Sequence, residues 1–208
     1  MIPVSSLLVF FGASLLLALA PGPDNIFVLT QSALRGAFAG FVITLGLGTG
    51  LMVHTSAVAF GVAAIFKTSA LAFSALKYIG AGYLLFMAWK AFRASPVDIA
   101  SENNRGTPLR LLYRRGIIMN ITNPKVSIFF LAFLPQFADP SRGPLVLQIF
   151  VLGLVFILAA LLIFGTVCIL AGTIGDRLRR SPKTQLILNR TACIIFIGLA
   201  LKLATSER

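Results

Sequence analysis

Pro21-Gly22-Pro23-Asp24-Asn25 interrupts an apolar stretch that starts at Val4 and resumes at Ile26. Two prolines and a glycine cannot continue an α-helix, because the proline ring removes an N–H donor and clashes with the preceding turn. In lipid, backbone groups freed in this way are tolerated only inside protein or beside a watery cavity. A carboxylate at such a break is costly and usually functional. The break therefore marks a place where something polar is handled within a membrane.

The rest of the chain supports a membrane setting. Of 208 residues, 58% are hydrophobic and 12% are charged, with 18 phenylalanines and a mean hydropathy of +0.94. Soluble domains carry about 25% charged residues. The length accommodates one bundle of about six spans at roughly 20 residues each. A net charge of +12 raises the question of nucleic acid. The basic residues fall in short clusters between apolar runs, however, with no basic face interleaved with aromatics, which fits membrane loops and excludes a nucleic-acid partner. Cys168 and Cys193 lie in apolar segments and have neither metal-ligand nor disulfide-framework spacing. No cofactor or metal is expected. Ala18-Leu19-Ala20 resembles a signal cleavage site, but no Lys or Arg precedes the apolar run and Pro21 follows directly, so the segment is expected to be retained.

The chain predicts an all-α membrane protein with six transmembrane helices in a single domain over residues 1–208. Spans are expected near residues 4–33 (broken at 21–25), 38–66, 76–92, 116–137 (broken at Asn123-Pro124), 144–174 and 186–204. The longest polar loop, with Pro96, Asp98, Glu102, Asn103, Asn104, Gly106 and Pro108, divides the chain in two. Lys and Arg set the orientation. The loops after spans 1, 3 and 5 hold 12 of the 18, among them Arg35, Arg114, Arg115, Arg179 and Arg180, against five on the other side, and Lys125 lies within a span. Both termini should then face outward. Three spans per half, starting from opposite sides, imply an inverted 3+3 repeat: residues 1–93 and 114–208, joined by a cytoplasmic loop at 94–113. Matching breaks in helices 1 and 4 point to a transporter site near the midplane.

The candidate site follows from the breaks: Pro21, Gly22, Pro23, Asp24 and Asn25 in one half, Asn123, Pro124 and Lys125 in the other. Asp24 is suited to hold an ammonium group or carry a proton; its structural alternative is to cap the half-helix that resumes at Asn25. Lys125 is suited to a substrate carboxylate or to pairing with Asp24; its alternative is to snorkel to the inner interface. Asn120 and Asn123 are expected to bond carbonyls freed by Pro124. His54, the sole histidine, is the second proton-coupling candidate, with a bond to a neighbouring helix as its alternative. Trp89, Tyr78 and Tyr83 fit interface anchoring. Gly36 and Gly40, Gly46 and Gly50, and Ala57 and Gly61, each four apart, allow close helix approach. No Ser-His-Asp set, acid pair or phosphate loop points to an enzyme.

Several of these stretches resemble one family. They are Pro21-Gly22-Pro23-Asp24-Asn25 with Val28-Leu29-Thr30, the small-residue span from Gly46 to His54, and Leu76-Lys77-Tyr78-Ile79-Gly80-Ala81-Gly82-Tyr83-Leu84. The most specific is Arg115-Gly116-Ile117-Ile118-Met119-Asn120-Ile121-Thr122-Asn123-Pro124-Lys125, continuing through Phe129-Phe130 to Phe133-Leu134-Pro135-Gln136-Phe137. Over nearly its whole length the chain resembles the LysE/RhtB amino-acid exporters, in particular the homoserine/threonine/leucine efflux branch. The resemblance implies a multi-pass exporter of small amino acids or derivatives in the bacterial cytoplasmic membrane, driven by proton antiport and often a homodimer. Free N–H groups at a half-helix start would favour the substrate carboxylate, and Asp24 with freed carbonyls its ammonium. The rival reading is a metal-ion or other small-solute exporter of the same superfamily, for which Asp24 and His54 alone are a thin ligand set.

Overall fold

The computed structural model describes residues 2–68, 70–94 and 107–205; the side chains of residues 62–73, 172–180 and 182 lie outside that description, as does the polar loop from Pro96 to Gly106. Among the described residues the chain is helix and turn, without a strand. Helix α1 is Val4–Leu19, α2 Pro23–Arg35, α3 Ala37–Thr68, α4 Ala70–Arg93 and α5 Leu109–Ile121. A short α6, Pro124–Ile128, runs into a π-helical turn, Phe129–Phe133, and a 3₁₀ turn, Leu134–Phe137. Helices α7, Leu145–Arg180, and α8, Pro182–Thr205, complete the chain.

Both expected breaks form, and for the same reason. Ala20 precedes Pro21 and Asn123 precedes Pro124; both adopt extended ψ values, 124° and 108°, because a following proline disfavours the helical region. Each resumed helix begins with a proline at its first position, where the missing N–H costs nothing. The axes bend by 63° between α1 and α2 and by 49° between α5 and the Pro124–Phe137 segment. Helix α2 ends at Gly36, whose φ of 86° suits a residue without a side chain.

Three helical segments are long and apolar enough to cross a membrane alone: Ala37–Gly61, Leu145–Ala171 and Lys183–Thr205; with each bent pair taken as one span there are five. Helix α4 is the remaining long helix and lies along α8. The distribution of polarity is that of a membrane protein. Phe38, Ile79, Ile169 and Ile194 present their side chains outward, while Asp24, Gln31, Thr44, Thr55, Asn120, Asn123 and Lys125 are buried. Around them sits a core rich in phenylalanine, with Phe10, Phe129, Phe130, Phe133 and Phe196 fully enclosed.

Helix α3 packs along α5 and α7, and α1 and α2 pack on α7. The α3–α5 seam is unusually close. A Cβ on Gly46 would stand 2.2 Å from the Tyr113 carbonyl oxygen, and one on Gly116 2.5 Å from that of Ile43. Gly50 faces the Asn120 side chain and Gly40 faces Ser32 and Cys168. The expected close approach thus holds for Gly40, Gly46 and Gly50. It does not hold for Gly36 and Gly61, where a Cβ would meet nothing within 4 Å, nor for Ala57, which is exposed on the outer face of α3.

Helix boundaries depart from expectation at α4 and α5, in α5 because charge was read as loop. Helix α4 starts at Ala70 rather than near residue 76, and α5 at Leu109 rather than near residue 116, so Arg110, Arg114 and Arg115 ride on a helix. Helix α7 has 36 residues, about 54 Å at 1.5 Å each, against a hydrocarbon layer of about 30 Å. Its excess length carries Arg177, Arg179 and Arg180, and Ser181 alone joins it to α8. Helical backbone satisfies itself in water as in lipid, so hydropathy marks the membrane and not the end of the helix. At the other end of α7, Gln148 ties down the preceding turn, donating to the Asp139 and Gly143 carbonyls and accepting from the Asp139 N–H.

Candidate functional site

The two helix breaks meet. Asn123 joins them with both ends of its amide: its Oδ1 accepts the Lys125 N–H at 3.0 Å, capping α6, and its Nδ2 donates to Asp24 Oδ2 at 2.9 Å. Lys125 turns its ammonium to the end of α1, donating to the carbonyls of Ala20 at 3.0 Å and Leu17 at 3.3 Å. These are among the carbonyls that a helix leaves unpaired in its last turn, where partial negative charge accumulates and a cation is welcome. Asn25 Nδ2 takes the Ala18 carbonyl at 2.7 Å. Gly22 makes room: a Cβ there would stand 3.1 Å from Lys125 Nζ. Asp24, Asn123 and Lys125 are 3%, 3% and 5% exposed, so all three side chains are enclosed by protein.

Four expectations for these side chains are corrected. Asp24 does not cap α2: Gly22 occupies the cap position without a side-chain bond, and Asp24 sits one residue inside the helix. Lys125 does not snorkel, because the α1 carbonyls offer it buried acceptors close at hand. Nor does it form an ion pair with Asp24; among the described residues the Arg142–Asp139 contact at 3.0 Å is the one ion pair. Asn123 does not serve the carbonyls freed by Pro124 but the facing carboxylate. Asp24 Oδ1 has no hydrogen-bond partner among the described residues.

His54 on α3 faces the same region. Its Nε2 meets the Asn120 carbonyl oxygen at 3.1 Å, the neighbour-helix bond set against a relay in the sequence, and its ring lies 5.8 Å from that of Phe130. The Asn120 Oδ1 is buried and has no hydrogen-bond partner among the described residues. Gln31, absent from the sequence reading, is fully buried with neither amide atom partnered among the described residues. It follows Asp24 by seven residues, two helical turns, and so shares its face of α2. That spacing was the available signal. The α1 carbonyls that hold Lys125 gave none, because every residue has one.

Among the described residues no group of three or more His, Cys, Asp or Glu could hold a metal ion. What the fold and site define is a multi-span membrane protein with its charges turned inward at paired helix breaks. The chain belongs to the LysE type translocator family, whose model matches residues 6–207, and it is a transporter. It is 32% identical over 198 residues to the homoserine/homoserine lactone efflux proteins of Salmonella typhi and Salmonella typhimurium, covering 93% of this chain and 93% of each relative. It is also 31% identical over 201 residues to an uncharacterized membrane protein of Vibrio cholerae, covering 96% of this chain and 97% of that one. No solved structure matches.

Proposed function

We propose that this chain exports small amino acids or their derivatives, of the homoserine, threonine or leucine kind, across the bacterial cytoplasmic membrane in exchange for protons. One observation carries the reading. A zwitterion needs an acceptor for its ammonium and a donor for its carboxylate, and the buried site has one of each unspent. Among the described residues, Asp24 Oδ1 has no donor and is an open acceptor. Lys125 has three N–H donors and spends two of them on Leu17 and Ala20. The names of the Salmonella relatives support the substrate class. Pro21, Gly22, Pro23, Asn25, Asn123 and Pro124 shape the site, and Asp24 or His54 carries the proton.

The packing supports alternating access by two inverted halves, residues 1–93 and 114–208. Exchanging the halves maps the α3–α7 and α4–α8 contacts onto themselves, and the α1–α7 contact onto α5–α3. With both termini outside, rocking one half against the other would open the Asp24–Asn123 junction to either face.

Cells expressing the chain and loaded with L-homoserine, L-threonine or L-leucine test the proposal. At least one should leave faster than from control cells, and collapse of the proton gradient should stop it. Export of none of them, or export of a divalent metal instead, would overturn the reading in favour of its superfamily rival.

A further inference from the structure

A depression of about 460 Å³ opens where the start of α1, the Asp139 turn and the end of α8 come together. That volume lies within the usual range of small-molecule sites, about 300–1,000 Å³. Its polar lining includes Ser5, Gln136, Asp139, Arg142 and Lys202. The charges are unequally engaged. Asp139 is consumed by its own turn: Oδ1 accepts from the Ser141 N–H and hydroxyl, and Oδ2 pairs with Arg142 at 3.0 Å. Lys202 instead holds its ammonium 5.1 Å above the Phe137 ring and has no carboxylate within 4 Å among the described residues. Among the described residues, the charge of the depression left without a carboxylate partner is that of Lys202.

Its floor leads to the buried site. Phe133 and Phe137 line the depression. Phe133 stacks on Phe129 at 4.7 Å and Phe137 meets Phe10 edge-on at 5.1 Å. Phe130, next to Phe129, lies beside His54. A wall of rings therefore separates Lys202 from the Asp24 region. Phe129 and Phe133 bound the π-helical turn, a register carrying one extra residue and found mostly at functional positions.

We propose that this depression is a second binding site, for small amino carboxylates, with Lys202 as the carboxylate anchor and the phenylalanine wall as its floor. It rests on the function proposed above only for its place in transport, as the last station before release outside.

The test uses detergent-purified protein and needs no transport. Ser5→Cys, in a background where the buried Cys168 and Cys193 are replaced by alanine, reports on the depression through its labelling rate. An anionic methanethiosulfonate reagent should outpace a cationic one severalfold, and millimolar L-homoserine should slow labelling. Lys202→Gln should erase both effects and Lys202→Arg should keep them. L-homoserine lactone, which retains the amine but lacks the carboxylate, should not protect. Equal rates for the two reagents, protection that survives Lys202→Gln, or protection by the lactone would overturn the proposal. Failure here beside export from loaded cells removes the second site alone; protection here without export removes the exporter reading alone.

Discussion

The amide of Asn123 donates to the carboxylate of Asp24 across 2.9 Å and 99 positions of sequence. This bond ties the two helix breaks to each other. Separating them would leave the Asn123 amide without its acceptor and the Asp24 carboxylate without that donor.

Asp24→Asn should keep the fold and strongly impair export. An asparagine oxygen can still accept from Asn123, but the side chain can neither neutralise an ammonium nor ionise. Losing a charged partner in a water-poor site costs a few kcal/mol, about 10²-fold or more in affinity. Efflux per inserted protein measures this, with melting temperature in detergent as the stability control. Asp24→Ala should in addition lower the melting temperature, since the buried Asn123 donor then has no acceptor, at about 1–3 kcal/mol. Wild-type efflux by a stable Asp24→Asn protein would move the site to Asn123, Lys125 and His54.

Lys125→Met is expected to lower transport more than it lowers protein level. The methionine stem fills most of the same space, but the Leu17 and Ala20 carbonyls lose their donor, so some loss of stability accompanies the change. Export normalised to inserted protein should fall about tenfold or more, corresponding to 1.4 kcal/mol or more. Unchanged normalised export would leave the lysine as a structural clamp on α1.

Topology is open to direct measurement. Cysteines introduced singly at Ser5 and Ser206, without Cys168 and Cys193, should react with an impermeant thiol reagent in intact cells, whereas one at Ser101 should be protected. Reaction at Ser101 with protection at the other two would invert the protein and make the Lys202 depression face the cytoplasm.

The α3–α5 seam predicts a contrast between neighbouring glycines. Gly46→Ala drives a methyl group against the Tyr113 carbonyl, whereas Gly48→Ala points into open space. The first should cost about 1–3 kcal/mol through overpacking. The second should be neutral or slightly stabilising, because alanine favours helix. Melting temperatures of the two variants in detergent decide it; equal values would mean that the seam yields.

The breaks, and the spans around them, were legible in the sequence because proline acts on its own neighbours. Helix ends were not legible where arginines took them past the membrane, as in α5 and α7, since neither hydropathy nor charge forbids helix in water. For the candidate site, the sequence singled out Asp24, Asn123, Lys125 and, separately, His54, but not their partners. Lys125 could not be assigned to the Leu17 and Ala20 carbonyls, because that depends on the angle at which α1 arrives. Gln31 stood unremarked because a single polar residue on a helix face carries no label until its surroundings are known to be dry.

The contact of Gly46 with Gly116 bears on how such a protein can move. Where a bare Cα nests against a backbone carbonyl, no side chain is left to change rotamer and absorb a slide along the axis. Shifting α5 by one residue would bring a Cβ where none fits. Rotation about the point of contact meets no such obstacle. A backbone contact this close at Gly46 and Gly116 resists translation of α5 along α3 more than rotation about the point of contact.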